Sequence, residues 1–315
     1  MNPDAGKVVV IGAGAVGSTF AYALQIRGGA GEIVLVDADK KLAEGQAMDL
    51  NHGALFVPPV SIRAGDYEDC VGADIVAICA EAKQKPGQSR LDLVSTNVEI
   101  CRQIVGKILE HTTESVLLLV TNPVDILTYA ALRLSGLPRR QVIGSGTVLD
   151  SARFRYLLSR HCCIDPRSVH AYVLGEHGDN EVPAWSIATY GGMGILDCCA
   201  TCERGCSETD HEKINRQVRE SAYHVIEAKG ATNFAVGLAL ARITTAIIRN
   251  ENSVLTVSTL LDGQYGIKDV CLSVPMVLNS DGAARYICPE LTARELEQLR
   301  ASADVIKNVQ RRVGL

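Results

Sequence analysis

Aromatic side chains are scarce in this chain: they make up 4% of its 315 residues, with a single Trp. That leaves little ring surface on which nucleic-acid bases could stack. An excess of positive charge is missing too. Lys and Arg number 31 against 36 Asp and Glu, a formal net charge of −5, which argues against nucleic acid or an anionic membrane as partner. Residues 1–6 hold no Lys or Arg, so the first apolar run has no basic lead-in of the kind that marks a signal peptide. That run, residues 8–24, is short for a membrane span and is interrupted by Gly12, Gly14 and Gly17. The expectation is a cytoplasmic protein, whose 11 Cys are reduced thiols. Cys198, Cys199, Cys202 and Cys206 resemble half of a zinc site, but no second CxxC or HxxxH lies nearby, so no metal is expected.

What is present is a chain that is 47% hydrophobic and 21% charged, enough to build a large core, with a length that suits two domains. Short β-branched runs at residues 7–11, 32–36, 75–79, 116–120 and 142–144 read as buried parallel strands. Helical patterns lie between them, at 15–26, 40–51, 94–110 and 125–135. This rhythm predicts an α/β fold: a Rossmann-type doubly wound parallel sheet. From about Gly146 the rhythm changes. Helices are predicted at 150–160, 210–229, 233–250 and 293–313, with strands at 169–174, 253–261 and 270–278, the last two antiparallel about a turn at 262–266. The expected division is a dinucleotide-binding domain over 1–147 and an α+β substrate domain over 148–315, with a crevice between them.

Residues 8–17 read as a strand, a Gly12-Ala13-Gly14-Ala15-Val16-Gly17 turn and the start of a helix. Glycines there let the backbone approach a pyrophosphate, which the helix N-terminus then faces. Asp37 follows at the end of the next strand, where a carboxylate accepts hydrogen bonds from ribose hydroxyls and repels a 2′-phosphate, favouring NAD over NADP.

Three further segments carry polar groups on otherwise apolar elements. Thr121-Asn122-Pro123-Val124-Asp125 ends a predicted strand, at the sheet edge where ligands bind. Asp150 and Arg153 are three apart on a helix and share a face. His177 sits between Gly175 and Gly178 just past a strand. Reducing a ketone by hydride transfer needs a proton source, an anion anchor and a polarising group. His177 can give the proton, Asp150 can hold the imidazolium, and Arg153 offers a planar fork to a carboxylate. Residues 83–90, with their Pro-Gly, read as a loop over the same edge, able to bring Arg90 to substrate. Taken singly, each feature also has an ordinary structural reading: a surface histidine, a helix ion pair, a solvated loop.

Together these motifs resemble the L-lactate/malate dehydrogenase family over nearly the whole chain, the bacterial L-lactate dehydrogenases most. Residues 47–53, 144–147, 149–155, 175–179 and 229–232 add to the likeness. The resemblance implies roles. His177 is the acid/base with Asp150 as its partner, Arg153 binds the substrate carboxylate, and Arg90 polarises the carbonyl. Asn122 contacts substrate and cofactor, and Thr232 lies beside the substrate. Gly12, Gly14, Val16, Gly17, Asp37, Tyr67, Ala82, Asn122 and Ser145 hold NAD. Gln84 stands where malate enzymes place an arginine, so pyruvate is expected over oxaloacetate, whose second carboxylate would go unpaired. Malate or branched 2-hydroxy acids are the alternative substrates, and a non-catalytic NAD-binding redox sensor the alternative of another class.

The resemblance also implies that Arg155 and His170 bind fructose 1,6-bisphosphate between subunits of a homotetramer. Arg155 is about 200° round the helix from Arg153 and so points away from the site. His170, seven residues before His177, is roughly 20 Å from it along a strand. Three positions depart from the family pattern: Glu81 replaces a glycine where the backbone passes the cofactor, Lys83 a small polar residue, and Leu42 a basic one. Glu81 is expected to oppose cofactor binding unless its carboxylate points away.

Overall fold

Four strands that are apolar along almost their whole length open the architecture, because a strand covered by helices on both faces has no polar side to show. In the computed structural model, which describes residues 6–82, 90–201 and 207–315 (with backbone only for Arg90 and 199–201), these are β1 (Lys7–Ile11), β2 (Glu32–Val36), β4 (Ile75–Ile78) and β5 (Val116–Leu119). Between and after them come α1 (Ala15–Arg27), α2 (Lys40–His52), β3 (Ser61–Ala64), α3 (Arg90–Leu109), α4 (Val124–Ser135), β6 (Val142–Gly144) and α5 (Val148–Cys162). The remainder runs β7 (Val169–His170), β8 (Val173–Gly175), β9 (Glu181–Pro183), β10 (Thr189–Tyr190), β11 (Met193–Gly194), α6 (Ile195–Thr201), α7 (Glu208–Lys229), α8 (Phe234–Ile248), β12 (Ser253–Asp262), β13 (Lys268–Asn279), β14 (Gly282–Tyr286) and α9 (Ala293–Arg312).

The strand order β3-β2-β1-β4-β5-β6 is parallel and doubly wound, as expected. It reverses between β1 and β4, and the crevice outside the carboxyl ends of those strands is where such sheets bind ligands. The sheet then continues without a break. β12 adds antiparallel to β6 at Ser258–Gly144, followed by β13, β8 and β9, with β14 also on β13. Glycine makes that junction possible: a Cβ on Gly144 would come within 2.4 Å of Thr128 Oγ1 and 2.9 Å of Ser258 Cβ. α8 lies equally close to α1, since a Cβ on Gly237 would fall 2.8 Å from Thr19 Cγ2. None of the described helices is long and apolar enough to cross a membrane.

Two sequence expectations need correction. The single strand predicted over 169–174 is two strands in two sheets. β7 pairs with β10 in a three-stranded sheet, whereas β8 pairs with β13 and β9. The chain changes partners at Ala171-Tyr172, where the Tyr172 carbonyl accepts from the Ala184 N–H at 2.9 Å. β3 was not anticipated. It is an edge strand with only Ile62 buried, and Arg63 pairs with Glu32 at 2.9 Å and Asp69 at 2.6 Å, so its charged face hides the strand pattern while protecting the edge.

Candidate active site

The turn from β1 into α1 is shaped by contacts that no side chain could share. Gly12 has φ +103°, and a Cβ there would lie 2.5 Å from the Ala80 nitrogen. A Cβ on Gly17 would fall 1.9 Å from the Gly12 carbonyl oxygen, so α1 packs directly on the turn. Gly14, in contrast, faces open space. The result is a bare backbone cradle at the start of a 13-residue helix, with its unpaired N–H groups and dipole available to an anion. Asp37 is fixed at the end of β2: its Oδ2 accepts from the Ala13 N–H at 2.7 Å and its Oδ1 from the Asp39 N–H at 2.9 Å.

The cradle forms one end of a groove of about 1330 Å³ along the strand ends. Of the residues expected to hold a cofactor, Gly12, Gly14, Val16, Gly17, Asp37, Tyr67, Asn122 and Ser145 line it. Ala82 is not on the lining, and its N–H donates to Asn97 Oδ1 at 2.9 Å. Lys107 lies over the Tyr67 ring at 4.9 Å and, with Lys40, adds positive charge to the groove. Leu42 lines it too, as does Glu81, whose carboxyl is raised in pKa by burial. The backbone on either side of Glu81 is anchored, because Thr121 Oγ1 donates to the Ala80 carbonyl at 2.7 Å and Ala82 is held by Asn97. The carboxylate is therefore carried on a fixed wall. The open cradle, the Asp37 carboxylate at the end of β2 and the two lysines fit a dinucleotide; Asp39, Asp66 and Glu81 also line the groove and carry the same negative charge as its phosphates, Asp66 being paired with Lys40 at 2.9 Å.

At the far end lie Arg153, His177 and Thr232. Asp150 and Arg153 face the same way from α5, and Arg153 Nη1 donates to Asp150 Oδ1 at 2.7 Å. Asp150 Oδ2 meets His177 Nδ1 at 2.6 Å. The Asp150 side chain is 2% exposed and that of His177 25%, so the pair reaches solvent only through the imidazole. The Asp150 charge carries His177 up to about 9, against the opposing effect of burial. Burial would push Asp150 up, but the charges of His177 and Arg153 outweigh it and hold the carboxyl below its usual range. Because Nδ1 is engaged, Nε2 at the opposite corner of the ring is left for the groove. The arrangement can therefore give a proton from Nε2 at neutral pH and anchor an anion on Arg153 beside it.

Two buried carboxyls beside this pair had no role assigned from the sequence. Asp125, 1% exposed, accepts from the His177 main-chain N–H at 2.8 Å and from Ser258 Oγ at 2.6 Å. Burial raises it to about 6. Glu181, 5% exposed, is raised by burial, and then by the Asp150 charge, to about 8, and its Oε1 has no hydrogen-bond partner. A signal for Asp125 was present in the sequence: it is the one acid in a helix buried continuously from Val124 to Leu132. For Glu181 there was none, as β9 is only three residues long. Asn97 supplies a further link, donating to the Asn122 carbonyl at 2.8 Å while it holds Ala82. The peptide bond between Asn122 and Pro123 is cis.

Gln84 and Lys83 lie outside the described residues, as do Cys202 and Cys206. Arg90 is placed only as the first residue of α3, and its side chain lies outside them too. Arg155 does not line the groove. It donates to the Pro166 carbonyl at 3.3 Å, just ahead of β7, where His170 is exposed. Its Nε is buried without a hydrogen-bond partner.

Comparison with known proteins agrees with this geometry. The family model for the lactate/malate dehydrogenase NAD-binding domain matches residues 6–144, and that for the alpha/beta C-terminal domain of the same family matches residues 147–313. An L-lactate dehydrogenase of Acetivibrio thermocellus is 52% identical over 303 residues, covering 96% of each chain. One of Treponema denticola is 52% identical over 309 residues, covering 98% of each. The crystal structure of the minor L-lactate dehydrogenase from Enterococcus mundtii superposes with a TM-score of 0.96 at 41% identity, covering 98% of this chain and 99% of that one.

Proposed function

The chain belongs to the lactate/malate dehydrogenase family, and from that premise we propose that it is an NAD-dependent L-lactate dehydrogenase, reducing pyruvate reversibly to L-lactate. The observation that carries the reading is Asp150, one buried carboxylate that holds the proton donor His177 and the anion anchor Arg153 at 2.6 and 2.7 Å. When bound, the dinucleotide supplies the hydride. The cradle at Gly12 and Gly14 takes its pyrophosphate, and Asp37 takes the adenosine ribose.

Pyruvate's carboxylate pairs with Arg153, which places the ketone oxygen toward His177 Nε2. The proton moves from Nε2 to that oxygen as C2 is reduced, and the Asp150 charge stabilises the imidazolium until then. In the reverse direction neutral Nε2 takes the hydroxyl proton. Arg90 polarises the carbonyl, Asn122 and Thr232 flank the substrate, and Gln84 leaves the methyl end uncharged, which selects pyruvate over oxaloacetate. Residues 1–147 carry the cofactor half and 148–315 the catalytic half. Arg155 and His170, turned away from the groove, form a fructose 1,6-bisphosphate site in a homotetramer. The position of Arg155 beside the turn that leads to His170 supports this.

Incubating the purified protein with NADH and pyruvate, then analysing the product on a chiral column, tests the reading. It predicts L-lactate, with sedimentation as a tetramer and a rate that rises with fructose 1,6-bisphosphate. D-lactate or no product would refute the activity, and a rate and assembly indifferent to the bisphosphate would refute the regulatory site.

A further inference from the structure

The carboxylates on the groove lining are Asp37, Asp39, Asp66 and Glu81, and the first three are engaged. Asp37 accepts the Ala13 N–H, Asp39 caps α2 through the Lys41 N–H at 3.1 Å, and Asp66 pairs with Lys40. Glu81 has neither a hydrogen bond nor an ion pair among the described residues. Its place is set by the cradle. The Cys79 N–H donates to the Ile11 carbonyl at 2.8 Å, and a Cβ on Gly12 would stand 2.8 Å from the Ala80 Cα. Glu81 follows one Cα step, about 3.8 Å, further on. The backbone there is not left-handed, so it carries a side chain without strain. An anion seated on the turn that Gly12 opens is therefore nearer to Glu81 than the ~10 Å over which charges act in salt.

We propose that Glu81 couples dinucleotide binding to proton uptake: as the phosphates settle on the cradle, its carboxylate takes a proton from solvent and stays neutral while the dinucleotide is bound. The proposal rests on the reading of the groove as a dinucleotide site.

The cations that could relieve the carboxylate are taken. Lys40 is held by Asp66, Lys107 lies over the Tyr67 ring, and Arg153 is on Asp150. Cys79, on the same strand end, is the titratable group that senses the Glu81 charge. The other titratable groups on the lining are Asp37, Asp39, Lys40, Asp66, Tyr67, Lys107, Arg153 and His177, and α1, α7 and α8 add none to it. Burial already lifts the Glu81 carboxyl above its usual range, although the side chain keeps contact with solvent. A bound phosphate pushes in the same direction, because like charges disfavour the ionised form. The phosphates of a dinucleotide are strong acids and keep their charge, so the carboxyl is the group that yields. The complex then holds more protons than the free protein. Affinity is highest in acid, falls as the pH rises through the titration of free Glu81, and levels off once the bound group has ionised too.

The test is calorimetric titration of the full-length protein with ADP-ribose, which keeps the phosphates and lacks the nicotinamide, from pH 5 to 8.5, and with NADH above pH 6.5. Two buffers of different ionisation heat give the number of protons taken up. The parent is expected to bind ADP-ribose about tenfold more weakly at pH 8 than at pH 5, with an uptake of about half a proton at its maximum. Glu81→Gln, which keeps the shape without the charge, is expected to take up almost none. It should bind both ligands about tenfold more tightly than the parent at pH 8. Glu81→Ala should match Glu81→Gln in proton count. Equal uptake in parent and variants overturns the proposal. So does an equal Kd at pH 8, the result expected of a carboxylate that swings out into solvent. Failure of the dinucleotide reading looks different: neither parent nor variant binds NADH or ADP-ribose at any pH, which overturns both.

Discussion

His177→Gln is expected to lower kcat for pyruvate reduction by about 10³-fold, since general acid catalysis by a placed side chain contributes roughly 10²–10⁴. NADH affinity, measured by fluorescence titration, should stay within about threefold, because the cradle at Gly12 is at the other end of the groove. The parent's pH profile carries a sign that the variant loses. With His177 held up to about 9, chiefly by the Asp150 charge, the donor is protonated at neutral pH. Pyruvate reduction therefore holds through neutrality and falls as the pH rises through about 9. Lactate oxidation needs the neutral imidazole and climbs over the same range. The raised folded-state value also means that the Asp150–His177 pair adds stability below about pH 6.5, the ordinary histidine value, and that this contribution is lost as the pH rises through about 9. His177→Gln should flatten the rate limb and remove this pH-dependent part of the stability. A variant that keeps the parent's kcat would exclude His177 as the donor.

Arg153→Leu is expected to lower kcat/KM for pyruvate by about 10³-fold, equivalent to about 4 kcal/mol of lost transition-state binding. Two interactions go at once. The substrate carboxylate loses its charge-assisted fork, and the buried Asp150 loses the 2.7 Å partner on Oδ1, so its hold on His177 changes as well. Arg153→Lys separates the two effects. A lysine keeps the charge but presents a point rather than a planar fork, and a loss of about 10² is expected. Methyl pyruvate, an ester without the carboxylate charge, gives the control. The parent should reduce it poorly, and Arg153→Leu should cost much less with the ester than with pyruvate. Equal losses on acid and ester would mean that Arg153 does not bind the carboxylate.

Much of the fold was legible because its parallel strands are buried on both faces and therefore read as unbroken apolar runs. Where burial is one-sided or short, legibility fails. β3 shows one buried residue in four, and the apolar stretch from Val169 hides a change of partner, because hydrophobic continuity says nothing about which sheet a residue joins. The groove and the Asp150–His177–Arg153 unit were legible from residue chemistry: glycines that only a close approach explains, an acid and an arginine three apart, and a histidine between glycines. What sequence reasoning missed is the set of groups behind that unit. Asp125 touches His177 through the main chain, so no pairing of side-chain types points to it, and Glu181 comes near only because β9 folds back on β8. Gly12 and Gly17 illustrate the opposite case: both are needed where the sequence places them, for a backbone contact that would admit nothing larger.

The ratio of kcat/KM for pyruvate to that for oxaloacetate, followed as NADH oxidation at neutral pH, decides whether this groove turns over a 2-oxo acid with one carboxylate. With Gln84 proposed to face it, a second carboxylate is left unpaired at a cost of a few kcal/mol, and a ratio of about 10² or more in favour of pyruvate is expected. A ratio below one, with oxaloacetate the better substrate, would contradict it.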